Sequence, residues 1–167
     1  MEVNELLSQY YENYDEEGRL VNRRSGQIEF ATTMRYIRKY LRPGDKVLDI
    51  GAGTGRYSRT LAGEGYDVTA VELVEHNLNI LKSNTKENMR IRAFQGNALD
   101  LTMLADASFD MTLMMGPMYH LFTEADKIQA LSEAVRVTKP GGILLVAYCI
   151  TDGPMINYAF RDRKSVV

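Results

Sequence analysis

The chain is short of the residues that staple or anchor a protein. A single cysteine, Cys149, excludes a disulfide framework within the chain, and its place in the apolar run "ILLVAYCI" marks it as a small buried hydrophobe. With only two histidines beside it, no metal site is expected. The sequence has no N-terminal h-region and no apolar run of about 18 residues. Secretion and membrane spanning therefore lack support, and the expected location is cytoplasmic. An excess of one charge is missing too. The 20 basic and 22 acidic residues are interleaved and leave a net charge of -2, so no field gathers nucleic acid or an anionic membrane surface. What remains is a 167-residue chain, 45% hydrophobic, with enough apolar side chain to form one domain that buries about two-thirds of its unfolded surface.

Strand and helix signals alternate along that chain. The opening "NELLSQYYENYDEEGRL" reads as a short polar-aromatic helix and a loop. Phe30, Met34, Ile37 and Leu41 then recur at helical spacing until Pro43 and Gly44 stop the helix. "KVLDIG" is a short apolar strand, "RYSRTLAGEG" a helix closed by Gly63 or Gly65, and "DVTAVE" a second strand. Val74, Leu78 and Leu81 line the next helix, "MRIRAF" and "FDMTLMM" are strands, and Thr123 caps a helix with the expected apolar face Ile128, Leu131 and Val135. "KPGG" is expected to end that helix and "ILLVAYC" to be the fifth strand. Apolar strands joined by helical crossovers imply an α/β domain, an open doubly wound parallel sheet with helices on both faces. Ligands of such sheets sit beyond the carboxyl ends of the strands, which points to the end of "VLDIG".

There the sequence runs "VLDIGAGTGRYS", with glycines at 51, 53 and 55. A dinucleotide turn spaces its glycines G-x-G-x-x-G so that a pyrophosphate meets a helix N-terminus. Here the third position of that pattern is Arg56, a poor fit. Asp49 is also misplaced beside a pyrophosphate but well placed beside an ammonium group. Glu72 ends the second strand, 21 residues after Gly51, where a carboxylate can accept from both hydroxyls of a ribose. That spacing serves nicotinamide and sulfonium cofactors alike.

Taken together, "VLDIGAGTGRYS", "VTAVEL", "QGNALDL" and "VTKPGGILLVAY" resemble the class I S-adenosylmethionine-dependent methyltransferases over roughly residues 28 to 150. The resemblance implies a Rossmann-like fold with strands in the order 3-2-1-4-5. It also implies S-adenosylmethionine as cofactor and a small-molecule methyl acceptor, with S-adenosylhomocysteine released. By resemblance Asp49, Gly51, Gly53 and Gly55 face the methionine part of the cofactor and Glu72 the ribose, with Ala52 and Leu73 also in the cofactor set. Asn97 and Ala98 face the adenine, with Asn97 standing where the family commonly has an acid, and Met115 and Tyr14 complete the cofactor set. Leading segments of relatives often fold over the cofactor, so residues 1–27 are expected to form a lid or helix in which Tyr11, Tyr14 and Arg19 could meet the ligand.

Methyl transfer from a sulfonium is an in-line displacement, and the first requirement is to hold the nucleophile collinear with the departing sulfur. After strand four, "MMGPMYHL" presents His120, the candidate base for an acidic hydroxyl or thiol. Its neighbours Met111, Met114, Met115 and Met118 suit irregular apolar space. The stretch is not an Asn/Asp-Pro-Pro-aromatic motif, which argues against methylation of nucleic-acid bases.

Residues 151–167 contain no further strand pair where the family typically has two more strands. Two readings stay open, a truncated chain and a compact variant whose open edge at "ILLVAYC" pairs with a second copy. Two rival functions stay open as well. One is a cofactor-binding or partner-docking module without catalysis, and the other a nicotinamide-dependent oxidoreductase, which Arg56 and Asp49 oppose.

Overall fold

A computed structural model describes residues 9–11, 14–22 and 24–148. The expectations for Cys149 and for the tail 151–167 lie outside the described residues. Helix α1 (Glu16–Arg19) is one turn, capped by the Asp15 carboxylate, and α2 spans Arg24–Tyr40. The core then alternates: β1 (Lys46–Ile50), α3 (Arg56–Gly63), β2 (Asp67–Glu72), α4 (Glu75–Ser83), β3 (Ile91–Gln95) and β4 (Phe109–Met114). A 3-10 turn at Pro117–Tyr119 leads to α5 (Glu124–Val137) and β5 (Thr138–Val146). Every strand pair is parallel and the order is β3-β2-β1-β4-β5, as the resemblance implied.

β1 is central because four of its five residues, Val47, Leu48, Asp49 and Ile50, are buried. One face of the sheet carries Val47, Val68, Met111 and Leu113 against Met34 and Ile37 of α2 and Leu61 of α3. The other carries Leu48, Ile50 and Met114 against Ala130, Ala134 and Val137 of α5. Period-two alternation along the strands sends successive side chains to opposite layers, so a continuous apolar run serves both.

Four expectations need correction. The buried face of α5 is Ala130, Ala134 and Val137, whereas Ile128 and Val135 are 57% and 62% exposed. Leu131 lies between and packs on the core only partly. Small residues win the contact because they let the helix approach the sheet closely, and a reading weighted by hydrophobicity selects the larger ones instead. "KPGG" ends no helix: α5 stops at Val137, and those residues open β5, beside a register shift between Phe109 and Met111. β3 starts at Ile91, two residues later than "MRIRAF" implied. Finally, β5 stops at Val146, before Tyr148.

Candidate functional site

The turn after β1 is set by backbone pairing that outlasts the strand. Gly51 and Ala52 donate their N–H groups to the Val71 carbonyl at 2.8 and 3.1 Å, which turns the chain back over β2. Gly51 has φ +69 and passes so close to Pro117 that a Cβ would sit 2.6 Å from the ring. No other residue fits there. Gly53 also has positive φ, and its N–H donates to Glu72 Oε2 at 2.7 Å. The other oxygen, Oε1, accepts the Val74 N–H at 2.9 Å, so Glu72 is clamped between the two loops that follow β1 and β2.

These loops floor a cavity of about 720 Å³, within the range that takes a drug-sized ligand. Of the residues singled out from sequence, Asp49, Gly51, Ala52, Gly53, Glu72, Leu73, Asn97, Ala98, Met115, Tyr14 and His120 all line it. Gly55 does not. With φ +84 it starts α3, and a Cβ there would strike Leu81, so its role is close packing and chain reversal. Asn97 lines the cavity with its Oδ1 engaged by the Leu99 N–H at 3.0 Å, an Asx turn in which the amide also shapes the loop.

Burial sets the electrostatics of the floor. Asp49 is buried at the cavity floor and accepts a hydrogen bond from Ser58 Oγ at 2.7 Å. Desolvation pushes its carboxyl up to about 6, opposed by the Ser58 hydrogen bonds and reinforced by the charge of Glu72. Glu72 is also raised by desolvation, against the pull of the Val74 and Gly53 amides. Glu16 lines the same cavity and is raised by burial in spite of Arg19 at 3.0 Å. Three poorly solvated carboxylates thus line one cavity, an arrangement that a positively charged ligand relieves.

The segment before α2 closes over this floor. Arg59 of α3 holds Glu17 at 2.6 Å, Arg19 reaches Glu29 at 2.9 Å, and Tyr11 Oη lies 2.9 Å from His120 Nε2. Tyr11, Tyr14 and Arg19 all line the cavity. Burial lowers the proton affinity of His120 and raises the phenol of Tyr11.

Sequence reasoning missed Glu16, Ser58 and Asn77. Glu16 sits in "DEEGR", a charge run that reads as a solvated face, and nothing local marks it. Ser58 is the first-turn hydroxyl of α3, legible only once Gly55 is known to reverse the chain over β1. Asn77 had a signal: it interrupts the apolar stripe of Val74, Leu78 and Leu81, and a polar residue there asks for a partner. Its side chain hydrogen-bonds Glu72, and its buried Oδ1 has no partner among the described residues.

That donor set fits S-adenosylmethionine. The carboxylate of Asp49 retains lone pairs for an ammonium group, the clamped Glu72 retains lone pairs for ribose hydroxyls, and the orphaned Asn77 oxygen suits a ligand N–H or O–H. No metal-binding cluster of His, Cys, Asp and Glu occurs among the described residues, and no described helix is long and apolar enough to cross a membrane.

Comparison with known proteins points the same way. Residues 47–142 match the family described as a methyltransferase domain. A demethylmenaquinone methyltransferase of Renibacterium salmoninarum is 41% identical over 106 residues, 63% of this chain and 41% of the relative. A glycine/sarcosine N-methyltransferase of Aphanothece halophytica is 31% identical over 149 residues, 86% of this chain and 53% of the relative. Among solved structures, an S-adenosylmethionine-dependent methyltransferase of Methanosarcina mazei superposes with TM-score 0.59 at 29% identity, covering 65% of this chain and 55% of that one. The chain spans about two-fifths of the length of the first curated relatives it matches. A doubly wound sheet in the order 3-2-1-4-5, an acid-and-glycine turn at its carboxyl edge and a family match over the core lead to one conclusion: this chain belongs to the class I S-adenosylmethionine-dependent methyltransferases.

Proposed function

We propose that the protein transfers the methyl group of S-adenosylmethionine to a small-molecule acceptor and releases S-adenosylhomocysteine. The observation that carries this reading is the clamp on Glu72, a buried carboxylate fixed by the Gly53 and Val74 amides one loop away from Asp49. Asp49 and the 51–53 turn would hold the methionine end, Glu72 and Leu73 the ribose, and Asn97 and Ala98 the adenine. The cofactor supplies an electrophilic methyl on a positively charged sulfur. The protein's own work is to bind, orient and exclude water, with Met115 in the cofactor set and His120 as the candidate base toward the acceptor. The relatives named above are called after demethylmenaquinone in one case and glycine or sarcosine in the other, both small molecules, which supports an acceptor of that size.

Thermal or chemical denaturation with and without ligand tests the reading. S-adenosylhomocysteine at a hundredfold over its dissociation constant should add about 2.7 kcal/mol, with NAD adding little. The variant Glu72→Ala should lose about 2–4 kcal/mol of cofactor affinity with two charge-assisted hydrogen bonds removed. Unchanged affinity in that variant removes Glu72 from the site. Cofactor binding with no turnover of any acceptor favours a binding module instead.

A further inference from the structure

Aromatic rings and negative charge line the cavity. Tyr10, Tyr11 and Tyr14 come from the segment ahead of α2, and Tyr119 from the 3-10 turn opposite. Tyr10 and Tyr14 stack with centroids 5.2 Å apart, and Tyr11 stands edge-on to both. Such rings offer negative π faces to a cation. Of the four carboxylates that line the cavity, Asp49 and Glu72 are taken by the cofactor in this reading, and Glu16 and Asp126 remain for the acceptor. Arg19 is held by Glu16 and Glu29, and Arg56 lies over the Phe30 ring. A phenolate, thiolate or carboxylate nucleophile would bring like charge into this field, whereas an ammonium ion is attracted by it.

An ammonium ion has no lone pair to attack a methyl group until it loses a proton. The pair that can take that proton is already assembled. Tyr11 Oη sits 2.9 Å from His120 Nε2 with the rings edge-to-face at 5.8 Å, a contact that joins residues 109 apart in sequence. With the imidazole proton on Nδ1, Nε2 accepts from the Tyr11 hydroxyl, whose own lone pairs remain available to an N–H donor in the cavity.

We propose that the methyl acceptor is a small amine that enters as its ammonium ion, is held against the tyrosine rings and is deprotonated through Tyr11 to His120. The proposal rests on the S-adenosylmethionine reading and goes further by naming the acceptor class. The ammonium proton passes to Tyr11 Oη as the Tyr11 proton passes to His120 Nε2, leaving a neutral amine and an imidazolium that later returns its proton to water. The nitrogen lone pair forms the N–CH3 bond while the S–CH3 bond breaks and its electron pair stays on sulfur. The products are a methylated ammonium ion, the neutral thioether S-adenosylhomocysteine and one proton, so atoms and charge balance.

The test offers full-length protein S-adenosylmethionine with glycine, ethanolamine and phenylethylamine on one side, and 1,4-hydroquinone and β-mercaptoethanol on the other, with products read by mass spectrometry. Calorimetry of cofactor binding runs in parallel. N-methylation of at least one amine, with hydroquinone and thiol unmodified, is the expected result. Tyr11→Phe, which keeps the ring, and His120→Gln should each lower kcat at least tenfold while cofactor affinity stays within twofold. The Tyr11→Phe deficit should shrink as the pH approaches the amine's own pKa, where free amine no longer needs the relay. Methylation of hydroquinone or thiol with the amines untouched overturns the proposal. So does bound cofactor with no methylated amine, which leaves the cofactor reading standing; absence of cofactor binding removes both. Variants with undiminished kcat overturn the relay.

Discussion

Asp49 shows how a single residue couples fold to ligand. A carboxylate this deeply buried is disfavoured as an anion, and its pKa rises from 3.8 to about 6. The unliganded fold therefore binds this proton more readily than the unfolded chain does. This group's contribution to stability is fully present below about pH 4 and is lost as the pH rises through about 6. A cationic ligand reverses the preference, because it favours the ionised form. S-adenosylmethionine affinity should accordingly fall as the pH drops below about 6, approaching tenfold per unit, with proton release on binding in that range. Calorimetry in buffers of different ionisation enthalpy measures that release, and Asp49→Asn should reduce it, leaving the share of Glu72 and Glu16. The acid and the glycines were legible because a turn this tight admits few residue types. Ser58 and Asn77, which tune Asp49 and Glu72, were not, because their partners lie on other elements.

At the scale of elements, periodicity located every strand and helix of the core, but it misjudged the inward side of α5. Ala130 and Ala134 are wholly buried in the cluster that also holds Leu48 and Ile50, while Ile128 is exposed. Enlarging Ala134 to Leu should cost about 1–3 kcal/mol by overpacking, whereas Ile128→Ala should change stability by no more than about 0.5 kcal/mol. Urea denaturation of both variants checks the order, and the reverse order would restore the face expected from hydrophobicity. Hydrophobicity is a property of one residue, while the closeness of helix to sheet belongs to the pair. β5 shows the same limit: Pro140 and Gly141 look like a terminator, yet the strand runs on past them, because pairing with β4 skips from Phe109–Thr138 to Met111–Ile143 and leaves residues 139–142 as an irregularity.

Across the whole molecule, the site draws on residues from Tyr10 to Asp126, brought together because a doubly wound sheet gathers its carboxyl-terminal loops at one edge. The same sheet leaves β5 bonded only to β4 among the described residues, with Ile143, Leu144, Leu145 and Val146 half-buried. An apolar edge of this kind pairs readily with another strand. Self-association is therefore expected with rising protein concentration, and sedimentation velocity reads it directly. A single monomeric species at high concentration would count against that edge being open.

By itself the sequence determined the α/β class, the strand order through its family resemblance, and the glycine turn with its two acids. These features are written in local spacing, where backbone sterics and alternation leave few solutions. Only the tertiary structure decided which face of α5 is buried, that Gly55 packs instead of lining the cavity, and that Glu16 and the Tyr11–His120 pair belong to the site. Those outcomes depend on distances between segments far apart in the chain, and such distances are set by packing of the whole sheet.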